Sequence, residues 1–293
     1  MFIPRDILQV KLPVYQHVLT YRQVSNFAAA TQTHLECYFD DTQGLDKLQI
    51  HPVFPVVLSW KAKQSCEQAL KQHLPQGALA KMIHQQLQLT YFQPIKATDS
   101  LQVETQLIAL EPHNKGALLY VKYDIYNQHK QLLVTELSTV LLQNTSCEAA
   151  KSKNWQTIQL EQEWEFDNNF SVIFEKQITI PKNLPYQYDA GADIHYPVHT
   201  SPTLAQKLGF KGIILQGSCA LALITNQVIY HCLFQNPSKV KKLQAFFKSV
   251  ILPPQTILLK IYQQKNHPKS YYFQTFAEDQ EETLLLKGKI ETY

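Results

Sequence analysis

The sequence predicts an α+β protein in which a buried helix is wrapped by an antiparallel sheet, and the whole unit occurs twice. Three observations carry this reading. Each half of the 293-residue chain holds one helix-length segment rich in apolar residues, each such segment is followed by three strand-like runs, and a polar stretch separates the halves.

In the first half, Pro52-Val-Phe-Pro-Val-Val-Leu58 leads into a stretch compatible with a helix to about Leu74. Leu101, Val103, Thr105 and Leu107 then alternate with polar neighbours, as do Ala117, Leu119, Val121, Tyr123 and Ile125. A third run places Leu133, Thr135, Leu137, Thr139 and Leu141 on one face. Period-two alternation of this kind marks antiparallel strands with one packed face. The polar cluster Gln143 to Asn154 reads as a connection between the halves. In the second half, Gly217 to Tyr230 is apolar nearly all round, and a helix without a polar face is a buried helix. Strand-like runs follow from Leu243 to Phe247 and on to Ile261, from Ser270 to Phe276, and from Thr283 to Ile290. Pro94 to Leu101 matches Val250 to Ile257 without gaps, each entering a long strand, which supports a repeat. The expected units are 1–145 and 155–293, the alternative being a single large mixed-sheet domain.

Composition narrows the function classes. With 45% hydrophobic and 17% charged residues, the chain has ample apolar surface to offset the entropy of ordering. Net charge is only +3, and arginine occurs only at Arg5 and Arg22. Arginine supplies the planar forks that grip phosphates and base edges, so nucleic acid is not an expected partner. Cys37, Cys66, Cys147, Cys219 and Cys232 form no CxxC pair and read as free thiols of a reducing cytoplasm. The N-terminus lacks a charged-then-apolar signal pattern, and no apolar run reaches the ~18 residues of a membrane span. The expectation is a soluble cytoplasmic protein with no membrane partner. His195 and His199 have metal-like spacing, but Pro197 between them breaks the helix that would align them, so no metal is expected. Gly209-Phe-Lys-Gly212 lacks the Walker pattern of a phosphate loop.

The segment most informative about chemistry is Tyr186-Gln-Tyr-Asp-Ala-Gly-Ala-Asp-Ile-His-Tyr-Pro-Val-His199, continuing through Gly209-Phe210 to Ile214-Leu-Gln-Gly217. It resembles the signature of the MaoC-like (R)-specific enoyl-CoA hydratases and 3-hydroxyacyl-thioester dehydratases. That motif runs as aspartate, one residue, Asn-Pro, one residue and histidine, followed by a short helix ending in Gly-Phe and an Ile-x-His-Gly turn. Pro197, His199, Ala205, Gly209, Phe210, Ile214 and Gly217 match at the family's spacings. The first half is similar to the family's degenerate N-terminal hot dog, through His51 to Leu58 and Phe92-Gln-Pro-Ile95. The resemblance implies a double hot-dog: two antiparallel sheets, each around a central helix, with chemistry in the second. This chain departs from the motif at three positions. Ile194 stands in the aspartate position, Tyr196 in the asparagine position and Gln216 in that of the His-Gly histidine. A related dehydratase branch, opening Phe-Arg-Tyr-Ser-Ala like Tyr186 to Ala190 here, also lacks the aspartate.

The implied activity is reversible hydration of trans-2-enoyl thioesters, on CoA or an acyl carrier protein. Such a reaction needs a base for water and a donor for charge on the thioester oxygen. A histidine tuned near neutrality supplies the first, and an orphan N–H at a helix start the second. These are the roles expected of His199 and Gly217, the alternatives being a loop histidine satisfied by backbone and a tight-turn glycine. Asp193 is either the catalytic carboxylate, brought into place by a one-residue loop insertion, or a loop cap. Asp189 is a weaker substitute for that carboxylate, the structural reading being preferred. Tyr196 and Gln216 are the remaining candidate substrate-binding residues, with aromatic packing the alternative for Tyr196. In the first half Thr33 and Tyr38 occupy the aspartate and histidine positions, so no second site is expected there, and His34 reads as structural. Lys207, Lys211, Lys241 and Lys242 either attract a carrier phosphate or form a solvated face. No cofactor is expected; a second copy of the chain is a candidate partner. The rival functions are a non-catalytic acyl-thioester binding module and an acyl-thioesterase, since fold does not fix function.

Overall fold

Residues 1–75, 77–78, 82–278 and 280–293 are described by the computed structural model, and all but two of their strands join into one large antiparallel sheet. The strands in chain order are β1 (Phe2–Ile3), β2 (Tyr15–Val18), β3 (Met82–Tyr91), β4 (Ser100–His113), β5 (Gly116–Tyr126), β6 (Leu132–Gln143), β7 (Ser146–Cys147), β8 (Ala150–Lys151), β9 (Phe170–Ile180), β10 (Val240–Phe247), β11 (Gln255–Gln264), β12 (His267–Ala277) and β13 (Gln280–Thr292). The helices are α1 (Tyr21–Ala30), α2 (Pro55–Leu70), α3 (Leu184–Ala192), α4 (Pro202–Lys207) and α5 (Gly217–Cys232). Sheet order is β2-β4-β5-β6-β3-β10-β13-β12-β11-β9, with β8 beside β4 and a separate parallel pair of β1 and β7.

The order is symmetric about the β3–β10 pair, where Leu87 lies opposite Ala245. One arm is built from β2, α1, a short turn at Glu36–Tyr38, α2 and then β3 to β6. The other repeats that sequence with β9, α3, a turn at Pro197–His199, α5 and then β10 to β13, adding α4 and a short turn at Pro237–Lys239. This is the double hot-dog fold, with the two sheets fused edge to edge.

The central helices obey the physics that predicted them. α5 buries every residue from Cys219 to Asn226 and then Val228 and Ile229, so it has no solvated face. The amide of its buried Asn226 is fully engaged. Its side-chain amide donates to the Thr31 carbonyl at 2.9 Å and its oxygen accepts from His51 Nε2 at 2.9 Å. The other His51 nitrogen accepts from the Val53 amide at 3.0 Å, which fixes the tautomer and ties the two halves together through a buried polar bridge. Burial holds His51 neutral by pushing its pKa down to about 4. On the outer face, the segment after the connection crosses the β3–β10 seam as a strap. Gln86 and Gln244 donate to the Glu161 carbonyl at 2.9 and 3.0 Å, and Gln88 donates to that of Gln159 at 2.8 Å. That strap explains how β3, with its run of glutamines, sits buried.

Some expectations need correcting. The helix expected to reach about Leu74 ends at Leu70. The run from Leu243 to Ile261 is two strands, β10 and β11, because Pro253 and Pro254 supply no amide for a ladder. Strands β3 and β9 and helices α1 and α3 were not expected. In β6 the register pairs Tyr123 with Glu136, Val121 with Ser138 and Leu119 with Val140. Paired residues share a face, so Glu136, Ser138 and Val140 point toward α2, while Leu133, Leu137 and Leu141 lie on the opposite, also buried, face. The expected inward set is the outward one. Lys242, a candidate for a carrier phosphate, is instead ion-paired with Glu161 of the strap. All five cysteines are free, and among the described residues no helix is long and apolar enough to cross a membrane.

Candidate active site

The motif segment is held from both sides. α3 begins with Pro185 in its first turn and ends at Asp193, whose left-handed backbone (φ 51°) stops the helix. Pro197 opens the next short turn, in which the His199 amide donates to the Tyr196 carbonyl at 3.1 Å. Val198, Ala205, Ile213 and Ile214 then form a small apolar cluster of their own, onto which Tyr196 and Phe210 pack. Gly209, at φ 91°, makes the left-handed turn that ends α4 and returns the chain to that cluster. The Leu215 amide donates to the Ile251 carbonyl at 2.9 Å, and the Gln216 side chain donates to that of Pro185 at 2.9 Å. The turn into α5 is thereby fixed against both β11's approach and α3.

His199 is anchored by this arrangement. Its Nδ1 donates to the Ile214 carbonyl at 2.8 Å, which leaves the lone pair on Nε2. Burial pushes its pKa down to about 4, against the opposing pull of the carbonyl and of the Asp189 carboxylate, so the ring is neutral at pH 7. Gly217, three residues beyond the anchoring carbonyl, is the first residue of α5, and Gln216 provides no side-chain cap there. The first amides of the helix therefore have no intrahelical partner and present the positive end of its dipole. A Cβ at Gly217 would lie 2.8 Å from Phe247 Cε1, so only glycine fits beneath that ring.

His199, Gly217, Tyr196, Gln216 and Ile194 all line one cavity of about 920 Å³. Tyr196 packs edge-on against Trp60 of α2, ring centres 5.9 Å apart, and lies 5.8 Å from the His199 ring. Gln216 Oε1 is buried without a hydrogen-bond partner. Asp193 is not among the lining residues; it is exposed and ion-paired with Lys61 at 2.6 Å. The carboxylate whose charge reaches His199 is Asp189, one helical turn earlier, and its Oδ2 lies 3.1 Å from His195 Nδ1 while Oδ1 is buried and unpartnered.

The cavity runs on into the first half and meets residues that sequence reasoning missed. Lys63 lies 4.1 Å over the Trp60 ring, and burial lowers its pKa to about 8. His84 is 2.9 Å from the Ser138 hydroxyl and its ring centre is 4.8 Å from that of Phe247; burial pushes its pKa down to about 4. Glu136 is 3% exposed, and burial pushes its carboxyl up to about 7. The sequence signal for Glu136 was its place in the opposite parity of a strand whose leucines claimed the core.

Comparison with known proteins gives a consistent picture. A family model described as FAS1-like, dehydratase domain region, matches residues 10–136, and one described as MaoC like domain matches 169–281. The peroxisomal enoyl-CoA hydratase 2 of Arabidopsis thaliana is 22% identical over 187 residues, 62% of this chain and 60% of that protein. The alignment therefore spans less than two thirds of the curated relative. A MaoC-like dehydratase from Phytophthora capsici superposes with a TM-score of 0.81 at 17% identity, covering 98% of each chain. The peroxisomal multifunctional enzyme type 2 of Drosophila melanogaster gives 0.75 at 15% identity, with 96% of this chain and 48% of that one covered.

Proposed function

We propose that the chain, in which a FAS1-like dehydratase region is followed by a MaoC-like domain, catalyses the reversible, (R)-specific hydration of trans-2-enoyl thioesters. The observation that carries the reading is the neutral His199, oriented by the Ile214 carbonyl, in one cavity with the start of α5. In the forward direction Nε2 takes a proton from water as its oxygen bonds to C3. The C2–C3 π pair moves toward the thioester, and the resulting enolate oxygen is held by the Gly217 N–H. The enolate then collapses, C2 takes up the proton held by His199, and the net change is addition of one water. Dehydration is the reverse.

In this reading, residues 155–293 carry the chemistry and residues 1–145 give room for the acyl chain. Asp189, rather than Asp193, is the carboxylate that steadies the imidazolium as it forms. Gln216 is a positioning residue that locks the start of α5 to α3, and Tyr196 packs over His199. The carrier is CoA or an acyl carrier protein, and five free thiols fit a reducing compartment such as the cytoplasm. The rival reading, a binding module, draws on Ile194, a buried apolar side chain in the family's aspartate position. Purified protein given crotonyl-CoA decides between them. Loss of the enoyl chromophore with formation of the (R)-3-hydroxy product supports the proposal. Binding without turnover favours the module, and release of free thiol favours the thioesterase.

A further inference from the structure

The inner end of the cavity, in the first unit, has a polar floor. Register places Thr105, Tyr123 and Glu136 side by side across β4, β5 and β6. Facing them from α2 are Ser59 and Cys66, and all five residues line the cavity. The Ser59 hydroxyl, which donates to the Val56 carbonyl at 3.2 Å, lies beside the Glu136 carboxyl, and the Thr105 hydroxyl faces the Cys66 thiol. One carboxyl oxygen, Glu136 Oε2, is buried with no hydrogen-bond partner. The next rows, away from the β5–β6 turn, carry Leu107, Val121 and Ser138, whose hydroxyl is taken up by His84 at 2.9 Å, and then Leu119 and Val140, a mostly apolar lining that suits an alkyl chain.

A buried, unpartnered carboxyl oxygen is costly, and an apolar residue of the same size would remove the cost. If an alkyl tail were the natural occupant, this floor would oppose it. Resting on the hydratase reading for the placement of the thioester at His199 and Gly217, we propose that the first-unit arm of the cavity selects an acyl chain bearing a hydroxyl group, held by Glu136 Oε2 and the Thr105 hydroxyl. A neutral hydroxyl both donates and accepts, as those two groups require, and Lys63, the cation that α2 adds to the cavity lining, sits 4.1 Å over the Trp60 ring. The raised pKa of Glu136 adds that the carboxyl is partly protonated at pH 7 and can itself donate.

The test is a binding titration of saturated, unreactive acyl-CoA pairs matched in length, with and without an ω-hydroxyl, over a series from hexanoyl to decanoyl. The wild-type chain should bind the hydroxylated member about tenfold or more tightly at the length that reaches the floor, because a site built to hydrogen-bond a hydroxyl rejects the analogue lacking it. Glu136→Gln, which keeps the hydrogen bond, should retain the preference; Glu136→Leu should reverse it. Equal or tighter binding of the plain acyl chain at every length, or a preference unchanged in Glu136→Leu, overturns the proposal. Crotonyl-CoA turnover is measured separately: its absence alongside a hydroxyl preference removes the hydratase reading and leaves the pocket assignment, while turnover without the preference removes only the pocket assignment.

Discussion

Replacing Gly217 by alanine tests the joint between helix start, aromatic ring and reaction centre. A Cβ at that position would meet Phe247 Cε1 at 2.8 Å and Cδ1 at 2.9 Å, roughly 0.7–1 Å inside the optimal carbon–carbon separation. His84, whose ring centre is 4.8 Å from that of Phe247 and whose Nε2 is 2.9 Å from the Ser138 hydroxyl, limits the ring's retreat on that side, while the cavity lies open on another. Overpacking of this sort costs about 1–3 kcal/mol. Against it stands the helix preference of alanine over glycine, about 1 kcal/mol in a helix interior and less at the first position. The net expectation is a destabilisation of about 1–2 kcal/mol in urea unfolding. The effect on activity should be larger than on stability. Displacing one oxyanion donor costs about a hundredfold in kcat where this has been measured, so kcat/KM for crotonyl-CoA should fall at least about tenfold. Phe247→Leu in the same background removes the struck ring atoms and should recover part of the stability, giving a favourable coupling in a double-mutant cycle. A Gly217→Ala protein as stable and as active as wild type would refute the reasoning, as would a cycle with no coupling.

Other outcomes follow from the same geometry. His199→Ala should lower enoyl-CoA turnover by about two orders of magnitude or more, measured at saturating substrate. Asp189→Asn should lower kcat while Asp193→Asn leaves it near wild type, because the Asp189 charge favours the His199 imidazolium whereas Asp193 is exposed and paired with Lys61; equal effects would break that assignment. The buried His51 titrates near 4 when folded and near 6.5 when unfolded, so its contribution is present above pH 6.5 and lost as pH falls toward 4, by up to about 3 kcal/mol. Glu136 runs the other way: its folded pKa, raised from 4.5 to about 7, means that stability is lost as pH rises between those values, again by up to about 3 kcal/mol. Because the two slopes oppose each other over most of that window, denaturant unfolding of Glu136→Gln should show stability rising more steeply between about pH 5 and 6.5 than in wild type.

Much of the architecture was legible in the sequence because it rests on periodicity. The buried helix from Gly217 has no polar face, and the runs through Ala117–Ile125 and Ser270–Phe276 alternate, so element type and the tandem plan could be read directly. The spacing from Pro197 to Gly217 likewise placed His199 and the α5 start on one motif, and both line one cavity. What periodicity does not contain is which partner covers a face. In β6 both parities are largely apolar, and only pairing with β5 turns Glu136 inward and the leucines outward. Strand β3 reads as polar, and its glutamines are buried only because a strap from residues 159–161 supplies carbonyls for their amides. Asp193 looked like the nearest carboxylate along the chain, but its left-handed backbone ends α3 and sends the side chain to Lys61, while Asp189, a helical turn back, is the one that reaches the electrostatic neighbourhood of His199. Local pattern sets what a segment can form; the long-range contacts that decide burial and charge pairing are made between residues far apart in the chain, and no local spacing encodes them.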